Sequence, residues 1–226
     1  EAKDANAYGE GIPNVGGILR PVLHAILQTA TRNAGVAVRL GVAVVQVEQR
    51  PDDVAVSFAD GSTDQYRFVI GADGVGSTLR RQLFPDAPAP RYSGQGCWRA
   101  VVSRPPEIEG PTLFMGRQMV GVNPVSQQQM YLFLLQNLPE KTWIEPAEWL
   151  ARLREQLQEF GGAIARVRAE LSEASLLNYR PLETYVLPAP WYRGNVLLIG
   201  DAAHATTPHA AFGAGLGVED ALVLGE

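Results

Sequence analysis

Two aspartates each follow a glycine at the end of an apolar run, and that placement could serve a ligand. Phe68-Val69-Ile70 runs into Gly71-Ala72-Asp73-Gly74-Val75-Gly76-Ser77. Val196-Leu197-Leu198-Ile199 runs into Gly200-Asp201-Ala202-Ala203-His204. In an open α/β sheet, ligands lie outside the carboxyl ends of the strands. Glycine lets a ligand or another backbone come close, and a carboxylate there can accept hydrogen bonds from sugar hydroxyls. The plainer use of such an aspartate is to cap the next helix or fix a turn. Taken alone, each segment favours that plainer use.

A third stretch, Pro208 to Gly217, reads Pro-His-Ala-Ala-Phe-Gly-Ala-Gly-Leu-Gly and leads into an apolar helical pattern, Val218 to Leu224. Small residues let a flat ligand rest on backbone. The helix start presents free N–H groups and the positive end of its dipole, which suits an anion. A glycine-rich turn before a helix is the competing reading. Asp201, His204 and His209 do not form a metal motif, since their spacing is not a helical i, i+4 pair. His204 reads as a packed or backbone-bonded histidine. His209 is placed to position a substrate or shuttle a proton. No nucleophile elbow and no paired carboxylates suggest other hydrolytic chemistry.

The elements that would carry these loops follow from periodicity. Residues 18–34 space their apolar side chains by three and four, which predicts an amphipathic helix that Gly35 stops. Residues 37–40, 42–48, 54–58 and 66–70 read as strands, with Asp60-Gly61 as a hairpin turn between the last two. Ser77 opens a short helix to Leu83. Three prolines between Pro85 and Pro90 mark a boundary. Extended segments follow at 96–103, 112–115, 118–124 and 130–136. Helices are expected at 146–160 and 163–171, and 175–186 is extended again. Residues 195–199 form a continuous apolar run, the mark of a buried parallel strand, and a helix starts near Gly215. The layout is α/β at both ends around a β-rich middle.

In that middle, Cys97 reads as a small packed hydrophobe and Trp98 as core. Arg99 could meet a substrate carboxylate, although a surface ion pair is its commoner fate, and Arg180 is similar. Tyr131 and Phe133 alternate with Met130 and Leu132, so one pair lines each sheet face.

Composition narrows the class. The 226 residues carry 46% hydrophobic and 19% charged side chains, enough for a real core and unlike a disordered chain. A net charge of -5 gives no basic face for nucleic acid. The single cysteine rules out an internal disulfide and fits a reducing compartment. No apolar stretch reaches the roughly 18 residues of a membrane span. The segment Glu1 to Glu10 is polar and acidic, unlike a secretory signal. A cytoplasmic protein is expected. The chain stops at Gly225-Glu226 inside a helical pattern, so a piece of a longer protein is expected too.

Taken together, these segments resemble the class A, single-component flavoprotein monooxygenases. That group holds p-hydroxybenzoate, salicylate and 3-hydroxybenzoate hydroxylases and the FAD-dependent urate hydroxylases. Gly71 to Ser77 matches the family's Asp-Gly motif. Gly200 to His209 matches its Gly-Asp motif. Ile18-Leu19-Arg20-Pro21-Val22-Leu23 matches the helix whose arginine touches FAD, and Tyr92 to Arg99 resembles the entry strand of the substrate domain.

The resemblance implies a partial FAD-binding Rossmann-like domain lacking its N-terminal βαβ unit, with an inserted β-rich substrate domain. Its segments are 1–85 and 188–226 for FAD and 86–187 for substrate. It implies FAD, reduced by NADH or NADPH, and O2-dependent hydroxylation of a small aromatic or heteroaromatic ring. A homodimer is compatible with it. Asp201 and Gly200 would serve the ribityl or pyrophosphate part, Arg20 the flavin side, and Val44 the adenosine. Asp73 would belong to the motif tied to both FAD and NAD(P)H. Gly213, Ala214, Gly215, Leu216 and Gly217 would cradle the ring, with Pro208 and His209 at its reactive side. The opening Gly-x-Gly-x-x-Gly unit is absent, so tight FAD binding by this chain alone is not expected. An oxidase, halogenase or reductase on the same fold, and a non-catalytic domain, are the alternatives.

Overall fold

The computed structural model describes residues 16–226. The expectation for Glu1 to Glu10 lies outside them. In chain order the elements are α1 (Arg20–Asn33), β1 (Val44–Gln49), β2 (Val54–Phe58), β3 (Thr63–Tyr66), β4 (Val69–Gly71), α2 (Thr78–Leu83), β5 (Arg91–Ser103), β6 (Thr112–Met115), β7 (Met119–Pro124), β8 (Gln129–Asn137), α3 (Trp149–Gln156), α4 (Gly162–Glu170), β9 (Leu176–Val186), β10 (Tyr192–Arg193), β11 (Val196–Leu198), β12 (His204–Ala205) and α5 (Gly213–Gly225). Two compact units result. The first joins the described part of Glu1–Ala37 to Gly94–Pro181; the second joins Val38–Ser93 to Leu182–Glu226.

In the first unit, antiparallel strands lie in the order β9-β5-β8-β7-β6. Period-two alternation sends Trp98, Ala100 and Val102 of β5 to one face, with Met130, Leu132 and Leu134 of β8 and Val120 and Val122 of β7. Leu153 and Leu157 from the α3 region and Ile164 and Val167 of α4 cover that face. The helix expected over 146–160 is α3 flanked by single 3-10 turns, Pro146–Glu148 before and Leu157–Glu159 after. Proline supplies the first of these turns because it lacks an N–H that a helix start leaves unpaired anyway. Trp98 is fully buried as expected, its ring 4.5 Å from that of Tyr179.

In the second unit, β1-β2-β3 form an antiparallel meander, and β10-β11-β4 form a second sheet in which β11 and β4 are parallel. Asp60-Gly61 turns the chain between β2 and β3: Gly61 has φ +82°, and the Asp60 carboxylate accepts from Ser62 N at 2.9 Å. The run expected over 66–70 divides. Tyr66 pairs with Val54 in the meander, and Val69 pairs with Val196 in the parallel sheet. Residues 37–40 form no strand, because no described segment pairs with them. At α1 the expected stop holds, with Gly35 at φ +79°.

Candidate functional site

The two Gly/Asp loops leave neighbouring strands at the same end. Parallel pairing sets Val69 beside Val196 and Gly71 beside Leu198, so Asp73 and Asp201 both follow the carboxyl edge of one small sheet. Gly71 is needed for packing: a Cβ there would stand 2.6 Å from Leu198 and 2.9 Å from Leu79. The Asp73 carboxylate is spent locally. It accepts from Ser77 Oγ at 2.5 Å and from the backbone N–H groups of Thr78 and Leu79 at 2.7 and 3.1 Å. Ser77 Oγ in turn accepts from Arg80 N at 2.9 Å. Asp73 and Ser77 therefore cap α2 together, the plainer use that its sequence allowed.

Arg80 ties this loop to the other. Only 4% exposed, it donates from Nη1 to Ala202 O at 2.8 Å and from Nη2 to Val75 O, with its guanidinium 4.0 Å from the Tyr185 ring centre. One buried cation thus links the Asp73 loop to the Asp201 loop. Burial pushes the Tyr185 hydroxyl up, against the opposing pull of Arg80.

The Gly-Asp loop is held from α5. Asp220 Oδ2 accepts from Gly200 N at 2.7 Å and sits 2.7 Å from His204 Nε2. Gly200 takes φ +56°, a left-handed turn that favours glycine. The open side of Gly217 faces the Gly200 Cα, a built Cβ lying 3.7 Å from it. The loop and the helix start are therefore neighbours, and residues 200–202 form a 3-10 turn. Asp201, within that turn, is exposed and accepts no hydrogen bond among the described residues. His204 packs against Trp191, ring centres 5.0 Å apart, besides its Asp220 contact.

The start of α5 has no side-chain cap. Phe212 precedes it, and the first helical backbone bond runs from Leu216 N to Phe212 O at 2.9 Å. The leading amides of Gly213, Ala214 and Gly215 are therefore available, as an anion-facing helix start requires. The Phe212 ring lies over Gly215, where a Cβ would come within 3.2 Å, and Thr206 stands 3.2 Å from the corresponding point on Gly213. Pro208 opens a 3-10 turn through Ala210, and His209 Nδ1 lies 2.8 Å from Thr207 Oγ1 on the exposed side. An exposed, unpaired Asp201 beside an uncapped helix start fits a ligand that carries both hydroxyls and negative charge.

The structure brings Gly200, Asp201 and the Gly213–Gly217 segment together, and Arg80 links the Asp73 loop to the same place. Val44 stands on β1 of this unit, half-buried against the cluster of Val54, Val56 and Val196. Arg20 stands on α1 of the first unit, exposed. Arg80, Asp220 and Tyr185 were not anticipated as parts of the site. Asp220 had a signal: three residues past Gly217, it shares that residue's helix face. Among the described residues, no group of three or more His, Cys, Asp or Glu could hold a metal, and no helix is long and apolar enough to cross a membrane.

Comparison with known proteins agrees with this geometry. The family model described as FAD binding domain matches residues 10–226. The chain is 34% identical over 196 residues to 2-heptyl-3-hydroxy-4(1H)-quinolone synthase of Pseudomonas aeruginosa, covering 83% of this chain and 50% of that protein. It is 32% identical over 212 residues to 6-hydroxynicotinate 3-monooxygenase of Bordetella bronchiseptica, covering 88% and 53%. The crystal structure of Klebsiella pneumoniae HpxO complexed with FAD and uric acid matches with a TM-score of 0.80 at 29% identity, over 90% of this chain and 52% of that one. The chain spans about half the length of the curated relatives it matches. With its Gly/Asp loops on adjacent parallel strands and its sequence matched from residue 10 to the last, the chain belongs to the FAD-binding-domain family.

Proposed function

We propose that the protein containing this chain is an FAD-dependent monooxygenase that hydroxylates an aromatic or heteroaromatic ring. The balance is NAD(P)H, a proton, O2 and the ring hydrogen-bearing substrate in; NAD(P)+, the hydroxylated ring and water out. Bound FAD supplies the hydride acceptance and oxygen activation, and the protein supplies orientation and charge. Asp201 accepts from the sugar-like hydroxyls of the cofactor. The leading amides of Gly213, Ala214 and Gly215 face the negative charge of its reduced ring, and Leu216 and Gly217 continue that wall. Asp73 acts through the loop it shapes. Arg20 serves the flavin side and Val44 the adenosine. His209, with Nδ1 engaged by Thr207, has Nε2 left to position substrate or pass a proton, beside Pro208.

The carrying observation is the junction of Gly200, Asp201 and the α5 start at the carboxyl edge of β11. The division into a FAD part, 1–85 with 188–226, and a substrate part, 86–187, belongs to the same proposal. The one cysteine, buried, suits a reducing compartment, and we place the protein in the cytoplasm. The test uses the full-length protein. Flavin absorbance and NAD(P)H oxidation matched mole for mole by hydroxylated product are expected. No flavin absorbance and no NAD(P)H oxidation would overturn the reading; NAD(P)H oxidation that yields only hydrogen peroxide with every ring offered would replace it with an oxidase.

A further inference from the structure

Asp201 stands exposed in the loop Gly200–His204, and both ends of that loop meet one carboxylate oxygen. Asp220 Oδ2 accepts from Gly200 N at 2.7 Å, immediately before Asp201, and lies 2.7 Å from His204 Nε2, on the other side of it. An ionised carboxylate only accepts, so Nε2 carries the hydrogen in that pair. The Gly200 N–H opens the 3-10 turn Gly200–Ala202 and so has no acceptor within it. The His204 ring also lies against Trp191, centres 5.0 Å apart, and its backbone pairs with Val186 of β9. Between the two ends, Ala202 O accepts from Arg80 Nη1 at 2.8 Å.

Asp220 is a residue of α5, the helix whose uncapped start faces the same place. At about 1.5 Å per residue it stands about 10 Å along the axis from Gly213, at a distance the helix itself fixes. Gly217, on the way, lets the Gly200 Cα approach, a built Cβ lying 3.7 Å from it. One side chain, 20% exposed, therefore sets two ligand-facing elements in register: the Asp201 loop and the leading amides of α5. Bonds to a charged acceptor are stronger than bonds to a neutral one. Weakening them would leave Asp201 chemically unchanged but let its loop drift from the helix start.

We propose that Asp220 is a positioning residue for the cofactor, acting through Asp201: it holds that carboxylate beside the start of α5 before FAD arrives. This rests on the reading of Asp201 as a cofactor contact. Contact and positioning differ in kinetics. A lost contact speeds the departure of FAD. Lost positioning leaves only a fraction of molecules ready to bind, so arrival slows by that fraction, and bound FAD then holds the loop itself.

The test follows FAD binding to the full-length apoprotein by stopped-flow flavin fluorescence. Asp220→Asn keeps the shape and one acceptor oxygen without the charge. It is expected to slow association about tenfold and to leave dissociation unchanged. Asp201→Asn is expected to speed dissociation instead. In the double variant the two losses of affinity should be less than additive, because a loop that no longer carries the contact gains little from being held. His204→Gln, whose side-chain N–H takes the place of Nε2–H, is expected to bind FAD as the parent does. His204→Leu is expected to slow association and serves if Asp220→Asn fails to fold. Unchanged association in Asp220→Asn or in His204→Leu, or losses that add in full, would overturn the proposal and leave Asp201 as a contact. Unchanged FAD affinity in Asp201→Asn would sink the reading of Asp201 itself, and this proposal with it.

Discussion

In the first unit, α3 and α4 press Leu153, Ile164 and Val167 against the sheet until each is at most 1% exposed. In the second, α5 carries Val218, Leu222 and Val223 at 54, 66 and 68% exposure and buries none of its residues. Phe68, just before β4, and Ile70, within it, are 64 and 49% exposed. The second unit has cores of its own, with Val54, Val196 and Leu198 at most 1% exposed, but α5 lies outside them. A helix that is apolar over most of its surface expects cover, and among the described residues α5 has little. What fixes the second unit's loops is directed bonding instead: Arg80 to two carbonyls, Asp220 to Gly200 and His204, and Asp73 to the start of α2.

The comparison is sharpest at Trp98 and Leu222. Trp98→Ala removes a fully buried ring packed on Tyr179 and is expected to cost about 3–5 kcal/mol. Leu222→Ala trims an exposed side chain and is expected to stay within about 0.5 kcal/mol. Urea unfolding of the two variants beside the parent chain measures both. Equal destabilisation would mean that α5 is packed in solution as firmly as the first unit's core.

A smaller effect is expected at Arg80. Arg80→Met keeps the stem's bulk but strands the carbonyls of Val75 and Ala202, at a cost of about 1–3 kcal/mol. Hydrogen exchange should report the loss locally. The amides of Ser77 and Ala203, which bond Gly74 O and Gly200 O at 2.9 Å each, should exchange faster, while Leu134 in the first unit should not. Unchanged exchange at both loops would show that Arg80 is not what joins them.

The sequence made the first unit legible because its signals are local. Alternation at Met130 to Leu134 and three-four spacing around Leu150 and Leu153 each state which side faces in, and the strands and helices there fall where periodicity puts them. Residues 37–40 had the right side chains for a strand but no partner to ladder with, and strand content depends on partners as much as on propensity. At the candidate site the glycines and aspartates were visible, but their division of labour was not. Asp73 and Asp201 occupy like positions, yet Asp73 meets Ser77, Thr78 and Leu79 while Asp201 stays open; only the α2 helix start distinguishes them. Arg80 and Arg81 read alike on a short helix. The bond that singles out Arg80 reaches Ala202, 122 residues away, and no window of sequence contains it.

The smallest expected effect lies at the hairpin between β6 and β7, where the first unit also uses directed bonding. Glu159 accepts from Arg117 N at 3.0 Å and from Gln118 N at 3.1 Å, latching the turn to the end of the α3 region. Gly116 leaves room for it, since a Cβ there would stand 2.9 Å from the carboxylate. The Arg117 backbone N–H holds this carboxyl below the ordinary glutamate value of 4.5, with the Gln118 N–H and the Arg117 charge adding to it against a partial burial cost. A carboxyl lowered on folding binds fewer protons in the folded state than in the unfolded one. Its contribution is therefore complete above the ordinary value and is lost as pH falls through the lowered one. The amide resonances of Arg117 and Gln118 should hold steady down to that value and shift together below it. In Glu159→Gln that step should vanish while the core signals of Trp98 and Leu134 stay in place. A midpoint at or above the ordinary glutamate value would mean that the latch is open in solution, and that the first unit relies on burial even at its edge.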